Sequence, residues 1–561
     1  MRIATWLFLF AAALPVRAQD DVLMRAMRDE LARSMKELQL ENLEKPYFIA
    51  YRATERDDSS VAASFGALNH SNTSRSRSFS AEVRVGDYTL DNTNFFSIGF
   101  DLGAGFGGVF NGNAQLPLDD DYKEMRRQIW LATDSAYKKA VEDLSKKRAT
   151  LENTSRDDQI PDFSHETPVT TIDNAPPVRV DRAQWETTAR RLSALFRQAP
   201  EIFTSHVALN AANTSTRYLN SEGFSYTQSR SAVTFSANAS TQAPDGGQID
   251  DSIWLYGRTL SELPSEQELS ARLVALGRKL SELRSAQSLE TYNGPVLFED
   301  DAAVQAFRLA FVPDLVGTRR IISDMPNFQN QGEQAENAFI DKIGARVLPE
   351  FLSVTDNPML AEFNGTRMAG FAKVDEDGLP TRETRLIEKG ILKTLLTSRD
   401  PVRGIEHSTG SRHAGQAAPT NIIVTPENGL SAADLRARLM ELVKQRNLPY
   451  GIVVRRLRAL RTPIQIYKVF PDGHEEAIRG VQFVGLNATA FKDIVAASKD
   501  QHMLTVEFRP HVAFPTFSFG GEGYTPLSLA VPSLLFEDLT LRKARGETPN
   551  PPVAKHPFFD R

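Results

Sequence analysis

Cysteine is missing from all 561 residues of the chain, which removes disulfides, thiolate nucleophiles and cysteine-ligated metal centres together. Stability must therefore come from packing. Long apolar runs are missing as well: the one near the N-terminus, Ile3 to Leu14, supplies about a dozen residues where a membrane span needs roughly 20. It follows Arg2 and precedes Val16-Arg17-Ala18. Residues 1–18 read as a cleaved secretory signal, so the mature chain is expected to be exported, periplasmic or secreted, with no membrane span. A lipid anchor there requires a cysteine. Charge of one sign is also lacking, with 65 Lys and Arg against 71 Asp and Glu and a net charge of −6. The basic residues are scattered and form no stripe of the kind that neutralises phosphates, which excludes nucleic acid as a partner.

What is present suits two or three globular domains, with an ordinary 41% of hydrophobic residues. Leu23, Met27, Leu31, Met35 and Leu38 recur at helical spacing. From Tyr47 to about Asn94 short alternating runs predict antiparallel strands. Gly103-Ala104-Gly105-Phe106-Gly107-Gly108 has the letters of a dinucleotide fingerprint, but loop rather than a helix N-terminus follows, so a glycine loop is the better reading. Asp119-Asp120-Asp121 is expected to cap a long helix through Met125, Ile129, Ala136, Ala140 and Leu144; a calcium reading lacks the further spaced oxygens. Pro161, Pro168, Pro176 and Pro177 mark residues 151–180 as a surface connector. A helix over about 183–198, strands over 202–239 turning at Leu219–Phe224, and a capping box at Ser265 and Glu268 opening a helix to about Arg284 follow. Near Tyr292 the texture shifts to buried runs punctuated by Gly and Pro. A strand ending Val296-Leu297-Phe298 feeds a helix with Ala303, Phe307, Ala310 and Phe311 inward. Ser431 with Asp434 caps another, carrying Leu435, Leu439, Leu442 and Val443. The expected division is 19–290, 291–542 and a frayed tail, 543–561.

The most specific stretch is Asp375-Glu376-Asp377-Gly378-Leu379-Pro380, followed by Leu386-Ile387-Glu388-Lys389-Gly390-Ile391-Leu392. It resembles the signature block of the TldD/PmbA family, the TldD–TldE metallopeptidases also called modulators of DNA gyrase. Ser408-Thr409-Gly410 with Arg412, Pro419-Thr420-Asn421-Ile422, Ile478-Arg479-Gly480-Val481, Ala496-Ala497-Ser498-Lys499-Asp500 and Pro532-Ser533-Leu534-Leu535-Phe536-Glu537 continue in the family's order. Asn220-Ser221-Glu222-Gly223 extends it, so the resemblance covers about residues 200–540. It implies an α+β fold, with an N-terminal α+β domain and a mainly β C-terminal domain, assembled as dimers enclosing a cavity. Catalytic members are zinc peptidases that hold unfolded peptide as an added strand, a mode that encodes substrate sequence poorly. It further implies that Ser408, Thr409, Gly410 and Asn421 line the peptide cleft, and that Asp377, Gly378, Pro380, Glu388 and Gly390 shape the signature turn and hairpin.

Catalytic members carry H-E-x-x-x-H on the helix after the Gly-Pro-Val-Leu-like strand, and a later cysteine, as zinc ligands and general base. Here that helix reads Glu299-Asp300-Asp301-Ala302-Ala303-Val304-Gln305-Ala306-Phe307, without histidine, so none of the family's ligands carries over. His407 and His413 are a substitute pair only if their loop brings them together. Glu299, Asp300 and Asp301 resemble an aspartic-type pair on paper, but at a helix start carboxylates serve as caps. His407-Ser408 lacks a carboxylate to orient the imidazole. The expectation is a PmbA-like, non-catalytic subunit that binds extended peptide or completes the cavity of a zinc-bearing TldD-like partner, with no cofactor of its own and zinc only in that partner. An active peptidase with an unrecognised site, and a stand-alone envelope binding protein, are the alternatives. N-terminal sequencing of protein recovered from the cell envelope or medium is expected to begin at Gln19; an intact Met1 there removes the cleaved-signal reading.

Overall fold

The structure, a computed structural model, describes residues 21–96, 112–153, 159–319, 321–324, 337–508 and 525–544. The expected signal at 1–18, the glycine stretch 103–108 and the tail beyond 544 lie outside the described residues. No helix among them is long and apolar enough to cross a membrane.

The N-terminal elements are α1 (Val22–Glu37), β1 (Pro46–Ser64), β2 (Ala67–Val85), β3 (Asn113–Gln115), α2 (Tyr122–Asn153), β4 (Thr170–Asn174), α3 (Arg182–Ala194), β5 (Thr204–Asn220), β6 (Ser225–Gln242), β7 (Gln248–Gly257) and α4 (Glu266–Arg284). The strands form one sheet in the order β3-β2-β1-β5-β6-β4, with β7 also on β6. Two long hairpins make its centre. Phe65 and Gly66 turn the first at φ 45° and 81°, the left-handed pair that a two-residue hairpin turn requires. β1 and β5 then pair antiparallel from Ala50↔Asn220 to Ala63↔Val207.

Alternation sends odd-numbered residues of β1 toward the helices. At one end Ile49, Tyr51 and Ala53 pack with Phe79, Ala81 and Val83 under α1 and α2. At the other, Val61 and Ala63 pack with Val207, Leu209, Val233 and Phe235 against α3 and α4. Between these two apolar clusters lies a polar belt, where Glu55 accepts from Arg77 Nε at 2.8 Å and from Arg217 Nη1 at 2.9 Å. The helix starts are capped: Asp121 Oδ1 accepts from the amides of Lys123 and Glu124 at 2.9 and 3.0 Å, and Ser265 and Glu268 make the reciprocal box. Residues 151–180 depart from the expected surface connector. Asp162 and Phe163 are buried, because Lys147 Nζ reaches Asp162 at 2.6 Å and the guanidiniums of Arg84 and Arg399 cover the Phe163 ring at 3.7 and 3.8 Å. Farther along, Thr170–Asn174 runs as a parallel strand on β6.

The C-terminal part is mainly β: β8 (Thr291–Phe298), α5 (Asp300–Ala310), β9 (Leu352–Asp356), β10 (Thr384–Glu388), β11 (Asn421–Pro426), α6 (Ala432–Gln445), β12 (Gly451–Ala459), β13 (Thr462–Val469), β14 (Glu475–Arg479), β15 (Ile494–Phe508) and β16 (Thr525–Lys543). They build one large mixed sheet in the order β10-β9-β11-β16-β8-β12-β13-β14, with β15 on β16. Both faces are covered. Val296 and Phe298 face α5, while Leu297 faces α6 with Leu435, Leu439, Leu442 and Val443. On the α5 side an aromatic stack locks helix to sheet: Phe307 lies 4.8 Å from Phe311 and 5.7 Å from Phe491, which is 5.3 Å from Phe536. This architecture is the expected α+β fold. Phe307→Ala should therefore lower stability by about 3–5 kcal/mol through lost transfer energy plus cavity, read from the urea midpoint; a shift equivalent to less than about 1 kcal/mol contradicts the packing described.

Candidate functional site

The signature block sits where the two parts meet. Asp375 Oδ1 accepts from the amides of Asp377 and Leu379 at 2.9 and 3.0 Å, closing a side-chain turn in which Gly378 takes φ 83°. A Cβ on Gly378 would lie 3.5 Å from both Tyr218 and Phe224 of the N-terminal sheet. The even-numbered face of β1 meets this turn. Arg52 Nη1 donates to Glu376 Oε2 at 3.1 Å, and the same carboxylate accepts from the amides of Ala414 and Gly415 at 3.0 and 2.8 Å. Arg412 Nη1 reaches Asp377 at 2.9 Å. Nearby, Arg84 bonds Glu82, Asp91 and Asp400 at 2.7, 3.0 and 3.0 Å, and Arg399 joins Glu222 of the β5–β6 turn.

Electrostatics in this seam are strongly perturbed. Burial and the adjacent Asp377 carboxylate push Asp375 up to about 8. Burial raises Asp377 too, against the pull of Arg412. Burial also opposes the Glu376 charge, yet Arg52 and its other partners hold Glu376 below the usual carboxylate range. Such groups mark functional sites or structural ion networks; here Glu376 is bound by Arg52 across the seam, while Asp377 is bound by Arg412 and Asp375 by main-chain amides within the C-terminal part.

The expected cleft residues fall in several settings. Ser408 and Gly410 are buried: the Ser408 amide donates to Glu166 at 3.0 Å, its Oγ accepts from the Gly410 amide at 3.0 Å, and a Cβ on Gly410 would stand 2.7 Å from the Pro380 carbonyl. Thr409 is bound by the Thr397 amide at 2.8 Å and borders an open depression of about 440 Å³ shared with Arg382, Arg385 and His407. Asn421 is fully buried. Its Oδ1 accepts from the Gly370 amide at 3.0 Å, and its Nδ2 donates to the carbonyls of Asn357 and Leu360 at 3.0 and 3.1 Å. It thus pins the 357–370 segment. Glu388 and Gly390 flank the tip of the hairpin after β10; Gly390 has φ 75°, and Glu388 pairs with Lys393 at 3.2 Å.

The histidines do not form a pair. His407 is exposed, 3.6 Å from Glu166, whereas His413 is buried and burial pushes it down to about 4. At the α5 start the carboxylates take a role other than the expected caps. Glu299 occupies the cap position without a side-chain capping bond, because Arg436 grips both its oxygens at 2.7 and 2.9 Å and Arg455 adds a third contact at 3.3 Å; guanidinium forks outcompete backbone amides. Asp301 is held by His502 Nε2 at 2.7 Å and Arg456 at 3.2 Å. The donor set does not fit zinc. Ala302, Ala303, Ala306 and Phe307 fill the inward face with hydrocarbon, the Glu299 and Asp301 carboxylates are occupied by cations, and among the described residues no three His, Asp or Glu side chains gather to hold an ion. Sequence reasoning missed Arg52, Arg84, Arg436, Arg455, Arg456 and His502. A signal existed for Arg52 and Arg84, each set between apolar neighbours on a strand whose opposite face is plainly core.

With this geometry in place, the comparisons assign a class. Residues 295–543 match the family described as PmbA/TldA metallopeptidase C-terminal domain. A metalloprotease of Methanocaldococcus jannaschii is 33% identical over 97 residues, 17% of this chain; the chain spans 20% of the length of that curated relative. The fold resembles that of TldE from Thermococcus kodakarensis, with TM-score 0.57 and 13% identity over 92% of this chain and 99% of that one. It also resembles a Thermotoga maritima protein named as a candidate modulator of a DNA gyrase, with TM-score 0.58 and 14% identity over 92% and 99% of the two chains. Residues 295–543 are thus a C-terminal domain of the TldD/PmbA type, and the chain shares its fold with proteins of that group.

The His502–Asp301 pair gives a pH signature. The hydrogen bond to Asp301 raises His502, and although burial opposes it, His502 and Arg456 hold Asp301 low. A raised histidine stabilises fully below its unfolded value near ~6.5 and loses that contribution as pH rises through the folded value. His502→Gln should therefore cost about 0.5–1 kcal/mol at pH 6 and almost nothing at pH 9, measured by urea titration at both; an equal cost at the two pH values refutes the ion pair.

Proposed function

We propose that the chain is an exported, non-catalytic member of its family that binds extended peptide, or completes the peptide cavity of a zinc-bearing, TldD-like partner. One observation carries this reading. The helix after the Gly294-Pro295-Val296-Leu297 strand, the segment where the resemblance places imidazoles, presents alanine, valine and phenylalanine inward and has its Glu299 and Asp301 carboxylates tied to arginines. A divalent ion needs lone pairs converging from fixed positions, and a carboxylate already neutralised by a guanidinium fork is a poor source of them. The chain also contains no cysteine to supply the remaining ligand.

The fold shared with an archaeal TldE supports a subunit role. Peptide held by main-chain pairing suits a protein whose Ser408, Thr409 and Asn421 side chains are engaged within the fold rather than presented as a specificity code. In this role Thr409, with Arg382 and His407, borders the way into the cavity, while Asn421, Asp377 and Gly378 set the walls. The partner supplies the metal, the activated water and the proton transfer; this chain supplies shape and main-chain complementarity.

Purified full-length mature protein should carry less than about one tenth of an equivalent of zinc at ligand affinities typical of catalytic sites, and any peptide hydrolysis in the preparation should be indifferent to chelator. Capture of the chain from its native envelope should bring down a protein with H-E-x-x-x-H. Stoichiometric zinc with chelator-sensitive cleavage by the isolated chain overturns the proposal in favour of an active peptidase, and capture of the chain alone favours a stand-alone binder.

A further inference from the structure

Beside the seam the N-terminal sheet carries half-buried cationic groups that the signature network does not use. Tyr226, Gln228 and Arg230 follow one another on a single face of β6. Tyr226 is covered by Val374 and Leu379 of the C-terminal part. Two residues on, Gln228 Nε2 is buried without a hydrogen-bond partner among the described residues. Two further on, Arg230 makes no ion pair or hydrogen bond among the described residues. The short hairpin Arg412–Ala417 is fastened through Glu376 to Arg52, and its His413 lies within the field of Arg230. The His413 side chain is more than nine-tenths buried, and its Nε2 also lacks a partner.

The neighbouring carboxylates do not answer this charge. Asp173, which lies opposite Gln228 on β4, is bound to Lys373 at 2.7 Å. Glu376 is held by Arg52 and two amides. A second cation in the field of Arg230, Arg258, donates to the neutral carbonyls of Ala369 and Phe371 at 3.1 and 2.7 Å, so its charge is not cancelled either. Burial first, and then Arg258, press the Arg230 guanidinium downward from its ordinary value; burial, helped by Arg230 and Arg52, holds His413 low against the opposing pull of Glu376. A buried polar atom without a partner costs roughly 1–3 kcal/mol. Two such atoms, with the Arg230 and Arg258 guanidiniums near them and no free acid beside them among the described residues, describe a receptor awaiting an anion.

We infer that Arg230, Gln228 and His413 form a binding site for a carboxylate carried by extended peptide, either its C-terminus or an acidic side chain. Arg230 offers the fork that matches a carboxylate's two oxygens. The Gln228 amide and the His413 imidazole, in the tautomer with its proton on Nε2, complete the set. Asn421 holds the wall: it fixes Gly370 between the two carbonyls that anchor Arg258. The inference rests on the peptide-binding reading and gives it polarity, because a fixed carboxylate site sets where one end or one acidic residue of the peptide must lie.

The test uses the full mature chain and an N-acetylated octapeptide of alanine and threonine, as the free acid, as the C-terminal amide, and as the amide with a central Glu. The free acid should bind at least ten-fold more tightly than the plain amide by fluorescence anisotropy or calorimetry. Arg230→Gln should bring the acid down to the level of the amide without changing the amide, and Arg230→Lys, which keeps the charge and the fold, should fall between. Recovery of affinity by the Glu-containing amide assigns side-chain carboxylates to the site, and absence of recovery restricts it to the terminus. Equal binding of acid and amide overturns the receptor and leaves peptide binding standing. If no peptide binds, acetate against chloride at equal ionic strength decides. A rise in melting temperature seen in the wild type and lost in Arg230→Gln supports the carboxylate site while removing the peptide reading, and no rise overturns both.

Discussion

Arg52 is the residue on which the arrangement of the two parts turns. It lies in the middle of β1, on the face turned away from the helices, and its guanidinium binds both the carboxylate and the main-chain carbonyl of Glu376. Because Glu376 in turn holds the amides of Ala414 and Gly415, one cation orients the signature turn, the hairpin behind it and the sheet beneath. A buried pair of this kind adds little net stability over a hydrocarbon replacement, yet breaking it leaves an uncompensated charge at a cost of about 3–5 kcal/mol. It therefore acts as a register mark: the parts fit in one orientation, and misfitting is penalised. Arg84 with Asp400 and Arg399 with Glu222 repeat the device along the seam.

The α5 start follows the same logic. A strand–helix junction with a free carboxylate and a histidine nearby has the raw materials for chemistry. Here Arg436, Arg455 and Arg456 neutralise those carboxylates, and a layer of alanines lets the helix lie close on the aromatic stack of Phe307, Phe311 and Phe491. The result is a helix optimised for packing.

Local pattern made much of this legible. The period of Leu23, Met27 and Leu31, the caps at Asp121, Ser265 and Ser431, and the alternation in 47–94 and 202–239 depend on neighbours within a few residues, and those elements stand where the periodicities put them. The partners that define the seam are remote: Arg52 and Glu376 are 324 residues apart, and Arg84 is 78 from Asp162. No window of sequence contains both halves of such a contact. For that reason the proline-bearing stretch around Asp162 and Phe163 reads as surface although two guanidiniums enclose it, and Glu299 reads as a cap although arginines from a later helix and strand claim it. His413 and Gln228 are invisible to motif reasoning for a related reason: what distinguishes them is the missing partner, which only three dimensions disclose.

The N-terminal sheet is continuous where its oily underside is not. Its long central strands pass over two separate apolar clusters, and between them the Glu55, Arg77 and Arg217 contacts carry no hydrocarbon from one to the other. Packing makes folding cooperative across a domain, while a backbone ladder alone transmits opening far less firmly. The helical pair α1–α2 and the pair α3–α4 thus sit on two semi-autonomous platforms, so that one flank can breathe while the opposite flank keeps its shape.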